Sequence, residues 1–335
     1  MGKERQIWRY SIIAGLIGGL FFSGCTKEQF EPNEVHSLDL PESSTPFFYD
    51  YTQKGETFQK GWLFFEKSYT DSVGRKLKRF KYLGDNLATA GNKLKDLTTG
   101  KLYQLPGRIL TATRHGDLVA FVAENNSYGI LNLKTGKLPF YSADDEQFGG
   151  AYLVASPLFY EDIVAFPLLN GIVVFYSPTK NRVVNRFVVT TDTSPFNNNI
   201  IYLNVIDDQL YTATPNKIVV FGANYYFQYS DDIKHVIDDG NNIYLFTTDG
   251  RIIKFNQGLK RERSVKLKFA ELYAPTLCRG YIYTIEKNGG YLIQIDPKSL
   301  SYKVFDGPAF DTSDPLRLRE CKIYNDRRIF KIVLK

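Results

Sequence analysis

Residues 273–305, YAPTLCRGYIYTIEKNGGYLIQIDPKSLSYKVF, hold the chain to a narrow choice of folds. The stretch reads as one unit. An apolar strand meets a tight Arg279-Gly280 turn, a second strand covers 281–285, and a Gly289-Gly290 turn leads to a third at 291–295. An Asp-Pro turn then leads to an outer strand at 301–305. A four-stranded sheet of this kind cannot bury both faces by itself. Copies must stack, and radial stacking of four-stranded sheets is a β-propeller.

The unit recurs with variation from about residue 80 onward. The strand after the first turn starts near Leu87, Leu118, Ile163, Leu210, Ile243, Ile282 and Ile329. The turn before it is polar each time: Asp85-Asn86, Gly116-Asp117, Glu161-Asp162, Asp207-Asp208, the 239–242 segment, Arg279-Gly280 and Asn325-Asp326. Asp, Asn and Gly tolerate tight hairpin turns, so Asp207-Asp208, Asp231-Asp232 and Asp238-Asp239 read as turn residues rather than metal ligands. The 289 residues from 47 to 335 divide into seven units of about 41, close to the ~40–45 residues of comparable blades. The expectation is an all-β chain, a seven-bladed propeller (six to eight blades bracket the count) of four-stranded antiparallel sheets. Residues 322–334 supply only two or three strands. Residues 61–67 (GWLFFEK) are expected to complete that last sheet and so hide the ring's open edges.

Composition agrees. The chain is 15% aromatic, with 23 Tyr and 25 Phe, residues that favour half-buried pleated surfaces, and no long stretch of helical period follows residue 30. The formal net charge is +6, and basic residues cluster at 75–81 (RKLKRFK) and 260–268 (KRERSVKLK). These read as solvated outer strands carrying lysine as an edge blocker, or as contacts for anionic lipid head groups. No nucleic-acid motif accompanies them.

The first 24 residues carry Lys3, Arg5 and Arg9, an apolar run over 11–22, and then Phe22-Ser23-Gly24-Cys25. The run is short for a membrane span, which needs ~20 apolar residues, and has the layout of a secretory signal. The pattern resembles a bacterial lipoprotein signal whose lipobox is FSGC. That resemblance implies removal of residues 1–24, lipidation of Cys25, and, with Thr26 next, sorting to the outer membrane. Residues 25–46 are polar and acidic with three prolines, read as a flexible tether, and 47–335 as the propeller. Of the other cysteines, Cys278 and Cys321 fall in the last two repeats. They are read either as a disulfide, which an oxidising periplasm permits, or as two separate buried thiols. The three histidines, His36, His115 and His235, are scattered and give no zinc spacing, so no metal or cofactor is expected.

The segments LKDLTTGKLYQL (94–105) and LNLKTGKLPFY (131–141) resemble the quinoprotein-type propeller repeat, whose blades end in D-x-x-T-G-x-x-x-W. Asp96, Thr99, Gly100, Thr135 and Gly136 match; Tyr103 and Tyr141 each lie one position from where the closing tryptophans are expected. Together with the lipoprotein signal, this is similar to the BamB family, the propeller lipoprotein of the outer-membrane β-barrel assembly machine. The resemblance implies an acidic loop and an L-x-L-R-like element that bind the central assembly subunit. Asp192, in TDTSP (191–195), and Leu316, Leu318 and Arg319, in LRLR (316–319), carry those positions. Read without the family, Leu316 and Leu318 belong to one face of an ordinary half-buried strand.

No nucleophile elbow, histidine cluster, phosphate loop or CxxC is present. The expected function is therefore binding rather than catalysis. The chain reads as an outer-membrane-anchored, periplasm-facing scaffold that holds the barrel-assembly subunit or unfolded outer-membrane proteins. The other readings are an envelope adhesin or glycan-binding propeller and, behind these, a propeller enzyme acting on glycans. The aromatic stretches Phe47-Phe48-Tyr49 and Asn224-Tyr225-Tyr226-Phe227 are candidates for contacts.

Overall fold

The computed structural model describes residues 28–50, 62–66, 80–144, 154–190, 198–222, 225–307, 316–319 and 321–333, and among them every regular element is a strand. The chain begins with β1 (Glu42–Asp50) and β2 (Trp62–Glu66). The first blade follows with β3 (Phe80–Gly84), β4 (Leu87–Ala90), β5 (Lys93–Asp96) and β6 (Leu102–Gln104). The second holds β7 (Ile109–His115), β8 (Leu118–Ala123), β9 (Ser127–Asn132) and β10 (Phe140–Ala143). The third holds β11 (Leu158–Tyr160), β12 (Ile163–Pro167), β13 (Ile172–Ser177) and β14 (Arg182–Val188). The fourth holds β15 (Tyr202–Ile206), β16 (Gln209–Thr214), β17 (Lys217–Gly222) and β18 (Tyr225–Ser230). The fifth holds β19 (Ile233–Asp238), β20 (Asn242–Thr247), β21 (Arg251–Asn256) and β22 (Arg261–Lys266). The sixth holds β23 (Leu272–Cys278), β24 (Tyr281–Glu286), β25 (Tyr291–Ile295) and β26 (Tyr302–Asp306). Last come β27 (Leu316–Arg319) and β28 (Lys322–Lys331).

Both ends of the chain build the seventh blade, in the order β27-β28-β1-β2. Residues 62–66 complete it, as expected, but β1 also enters, so the propeller's strands begin at Glu42 rather than at 47. The register runs Glu42↔Phe330, Ser43↔Ile329 and Ser44↔Arg328. β2 also pairs with β3 (Trp62↔Tyr82, Leu63↔Lys81, Phe64↔Phe80), so the closing and first blades are continuous as eight strands. The described strands therefore form seven four-stranded antiparallel units around a ring. One expected turn is absent: Asn325-Asp326 lies inside β28. That strand is paired on both sides, with Asn325 opposite Leu316 and Asp326 opposite Tyr49, and the hairpin instead turns at Cys321.

The turns explain why the repeat folds where it does. Asp85, Asn86, Glu161, Asp207, Asp208 and Arg279 all hold positive φ, between 48° and 60°, the left-handed region that paired Asx and Gly residues reach most easily. Side chains close the turn between third and fourth strands. Asp96 accepts hydrogen bonds from the Thr98 amide and the Thr99 hydroxyl, both at 2.9 Å, and is paired with Arg114 at 3.2 Å. Asn132, Asn256 and Asp296 cap the equivalent turns of the second, fifth and sixth blades. The capping geometry thus outlasts the sequence motif.

The core lies between blades. Among the described residues six apolar clusters each span one pair of neighbouring sheets, from Leu83, Leu94 and Phe121 between the first two blades to Ile285, Phe305, Ile323 and Phe330 between the sixth and seventh. Tyr103 replaces the docking tryptophan: its ring is buried in the first of these clusters and its hydroxyl donates to the Leu133 carbonyl at 2.6 Å. Gly136 sits 3.8 Å from that ring, measured from where its Cβ would be. Tyr141 does no such work; it is exposed on β10.

Residues 28–41 fall within the stretch that composition assigns to a flexible tether, yet they lie on the ring as a strap. His36 forms a parallel bridge with Phe305: its amide donates to Val304 O and its carbonyl accepts from the Asp306 amide, both at 2.9 Å. Phe30 is buried at the seam of the fifth and sixth blades, edge-on to Tyr291 at 6.3 Å, and Leu40 is buried against the closing blade. Two buried apolar anchors, with the His36 bridge between them, hold a segment that is otherwise acidic and proline-rich.

Candidate protein-interaction surface

The outer edges of the blades set what this molecule can hold. Among the described residues β14 and β18 each pair on one side only, leaving a row of backbone donors and acceptors that another strand could complete. Charges or cover usually blunt such an edge. β14 carries exposed Arg182 and Arg186, but Val183, Val184 and Val188 beside them and Tyr226 and Phe227 on β18 also stand 37–48% exposed. Phe187 joins the two edges, stacking on Phe221 at 5.0 Å and approaching Tyr226 at 6.2 Å. The sequence read residues 224–227 as an aromatic loop; residues 225–227 are strand, with Tyr225 half-buried and its two neighbours outward.

The sixth blade shows what such an edge accepts. Its outer strand β26 carries the strap as an extra strand, through the two His36 backbone hydrogen bonds and the His36 ring against Phe305 at 5.6 Å. Extended segments that join a sheet edge take affinity from the main chain and selectivity from alternate side chains.

The acidic residues that might suggest chemistry are tied to neighbours. Asp231 receives both guanidinium nitrogens of Arg251, at 2.9 and 2.7 Å. Asp239 accepts from the Asn241 and Asn242 amides and the Tyr244 hydroxyl. Asp144 pairs with Arg186. Burial pushes the Asp249 carboxyl up, but hydrogen bonds from Thr247, Lys266 and Arg251 outweigh it and hold it well below the usual carboxylate range. Among the described residues no group of three or more His, Cys, Asp or Glu is placed to hold a metal ion.

Of the residues singled out in the sequence, Cys25 and Asp192 lie outside the described residues. Leu316, Leu318 and Arg319 are brought together on β27, opposite Asn325, Ile323 and Lys322. Leu318 is buried in the cluster between the sixth and seventh blades, a packing position. Cys278 and Cys321 are joined, with Cα atoms 5.2 Å apart, and link the end of β23 to the β27–β28 turn. The β14–β18 edge was partly missed: VVNRFVV (183–189) alternates poorly, and only the ring closure reveals it as an unpaired edge.

No protein-family model matches the chain. A search of curated proteins found the plasminogen-binding protein PgbB of Helicobacter pylori in two strains, 30% identical over 227 residues, or 66% of this chain. That alignment takes in 41% of PgbB, so the chain spans about two fifths of the length of these relatives. Among solved structures, BamB from Moraxella catarrhalis superposes with a TM-score of 0.62 at 16% identity, covering 87% of this chain and 99% of that one. The C-terminal WD40 domain of Sif2 follows at 0.56 and 10% identity, covering 81% of this chain and 82% of that one. At such identities the likeness is one of fold. The chain is a β-propeller of seven four-stranded units, and its architecture resembles that of BamB.

Proposed function

We propose that this chain is a protein-binding scaffold, carried on an acyl group at Cys25 at the periplasmic face of the outer membrane, that holds extended segments of β-barrel outer-membrane proteins during their assembly. The observation that carries the reading is the uncovered apolar edge of β14 and β18, in a ring whose β26 edge already binds an extended segment. The BamB-like architecture supports the barrel-assembly setting. Asp192, Leu316 and Arg319 are proposed contacts to the central assembly subunit. The function is binding, without catalysis or cofactor.

A second reading has its own support. PgbB, the relative by sequence, is named for binding plasminogen, which favours a surface protein that captures a host protein. One experiment separates the two. Wild type and a Val184→Asp/Tyr226→Asp variant are used to pull partners from detergent-solubilised envelopes and, separately, from plasma. Recovery of barrel-assembly components or nascent barrel proteins, lost in the variant, supports the scaffold. Recovery of plasma protein alone rejects it in favour of the host-binding reading.

A further inference from the structure

We infer that the rim formed by β22 and the strap is the side of the ring that lies on the bilayer, facing anionic phospholipid head groups. This rests on the lipid-anchored reading of Cys25.

The argument begins with Phe30. Its ring is buried in the cluster that contains Leu267, Leu272, Leu300 and Val304, with Val265 and Tyr291 packed against it. Cys25 precedes Phe30 by only five residues. A fully extended chain covers at most ~3.6 Å per residue, so the acyl group leaves the molecule within about 18 Å of this seam. A strap held by Phe30 therefore does not lift the ring away on a long tether; it fixes one sector of the rim beside the membrane.

The β22 face of that sector is cationic. β22 and its flanks present Lys260, Arg261, Arg263, Lys266 and Lys268, all exposed, against the single carboxylate of Glu262. Glu262 pairs with Lys254 and Lys266 with Asp249, each at 3.0 Å. Among the described residues no carboxylate lies within 4.0 Å of Lys260, Arg261, Arg263 or Lys268. Lys266 and Lys268 bracket Leu267, which touches the Phe30 cluster, so cations and anchor root adjoin. Phe269, 38% exposed with the Lys268 ammonium 4.4 Å from its ring centre, adds the aromatic and lysine pair suited to a membrane interface. The strap's Glu28, Glu31, Glu34 and Asp39 are also exposed and equal this excess, so the attraction is that of the β22 face alone. The acyl chain thus supplies the affinity, and the local cations of the β22 face, rather than any net charge of the rim, decide which side of the ring turns inward. At physiological salt, attraction extends over a Debye length of about 8 Å, within reach of a rim held this close.

The test uses the full acylated chain in phosphatidylcholine vesicles with and without phosphatidylglycerol, and in detergent micelles. Lysine acetylation is read by mass spectrometry. With phosphatidylglycerol, Lys260 and Lys268 should react about fivefold more slowly than in micelles, as expected for cations held at an anionic surface. Lys134 and Lys180, on the second and third blades, should keep their rates. Pure phosphatidylcholine should give little protection. A flexible insert of about 15 residues between Lys27 and Glu28, long enough to span several nanometres, should abolish it with Phe30 and the fold intact. Slowing at Lys260 no greater than at Lys134 relative to micelles, protection unaffected by head-group charge, or protection that survives the insert would each overturn the inference. The mass of the N-terminal peptide tests the anchor separately. If Cys25 is unmodified, the anchored reading fails; coupling Cys25 to a maleimide phospholipid in the same vesicles then tests the rim by the same outcomes.

Discussion

Replacing Cys278 and Cys321 by alanine should cost this protein about as much as a large core truncation at the same place. The two residues are 43 positions apart. Releasing a loop of that length restores chain entropy to the unfolded state worth about 4 kcal/mol at 25 °C. For a domain of roughly 300 residues, with an unfolding entropy near 2.1 cal/mol/K per residue, this is a fall in Tm of about 6 °C. The bond's position raises the stakes, because it ties the sixth blade to a seventh blade that the two chain ends assemble between them. Removing two sulfur atoms from a buried cluster adds its own cost, so reduced wild type serves as the control that breaks the bond alone. Scanning calorimetry and urea unfolding of oxidised, reduced and double-alanine protein give the measurement, and thiol titration of the native fold should find neither Cys278 nor Cys321 reactive. Two reactive thiols in native protein, or a double variant melting within a degree of wild type, would refute the reasoning.

Further outcomes follow from the same geometry. Tyr103→Phe leaves the buried Leu133 carbonyl without its 2.6 Å donor, and urea unfolding should show a loss of about 1–2 kcal/mol. Phe30→Ala should free the strap: the Asp306 amide, bonded to the His36 carbonyl, should exchange with deuterium far faster, while the middle strands β20 and β24 keep their protection. For Asp96, burial pushes the carboxyl up, but the Thr98 amide, the Thr99 hydroxyl and the Arg114 guanidinium outweigh it and leave it below the usual carboxylate range. A depressed folded pKa gives stability that is present above the unfolded value near 3.9 and is lost as pH falls through the folded one. Asp96→Asn should therefore be the less stable protein at pH 7, by about 1–2 kcal/mol, with the gap narrowing as pH drops below about 4.

Much of the ring was legible in the chain because hairpins announce themselves locally. Gly116-Asp117, Asp207-Asp208 and Arg279-Gly280 fix their turns by φ alone, and the second strands that follow begin within a residue of Leu118, Leu210 and Ile282. What was hidden depends on distance in sequence. The strap was averaged away because Phe30, Leu38 and Leu40 are thinly spread among Glu, Asp and Pro, and their burial needs a seam made by residues some 240–290 positions later. β1 was obscured in the same way, its partner being β28. Asn325-Asp326 carried a turn signal that pairing on both sides overrode. The β14–β18 edge needed the ring before its valines could be recognised as outward. The pairing of Cys278 with Cys321 could be decided only once the sixth and seventh blades were known to touch.

A ring whose last petal is stitched from both termini has a birth order problem. β1 and β2 precede every other strand described, yet β28, the neighbour β1 needs, follows all of them. Until β28 is made, β1 waits with an open flank through the synthesis of every blade between them. Loss of the final dozen residues would accordingly not trim the molecule by a fraction of a blade; it would leave both ends of the circle unjoined.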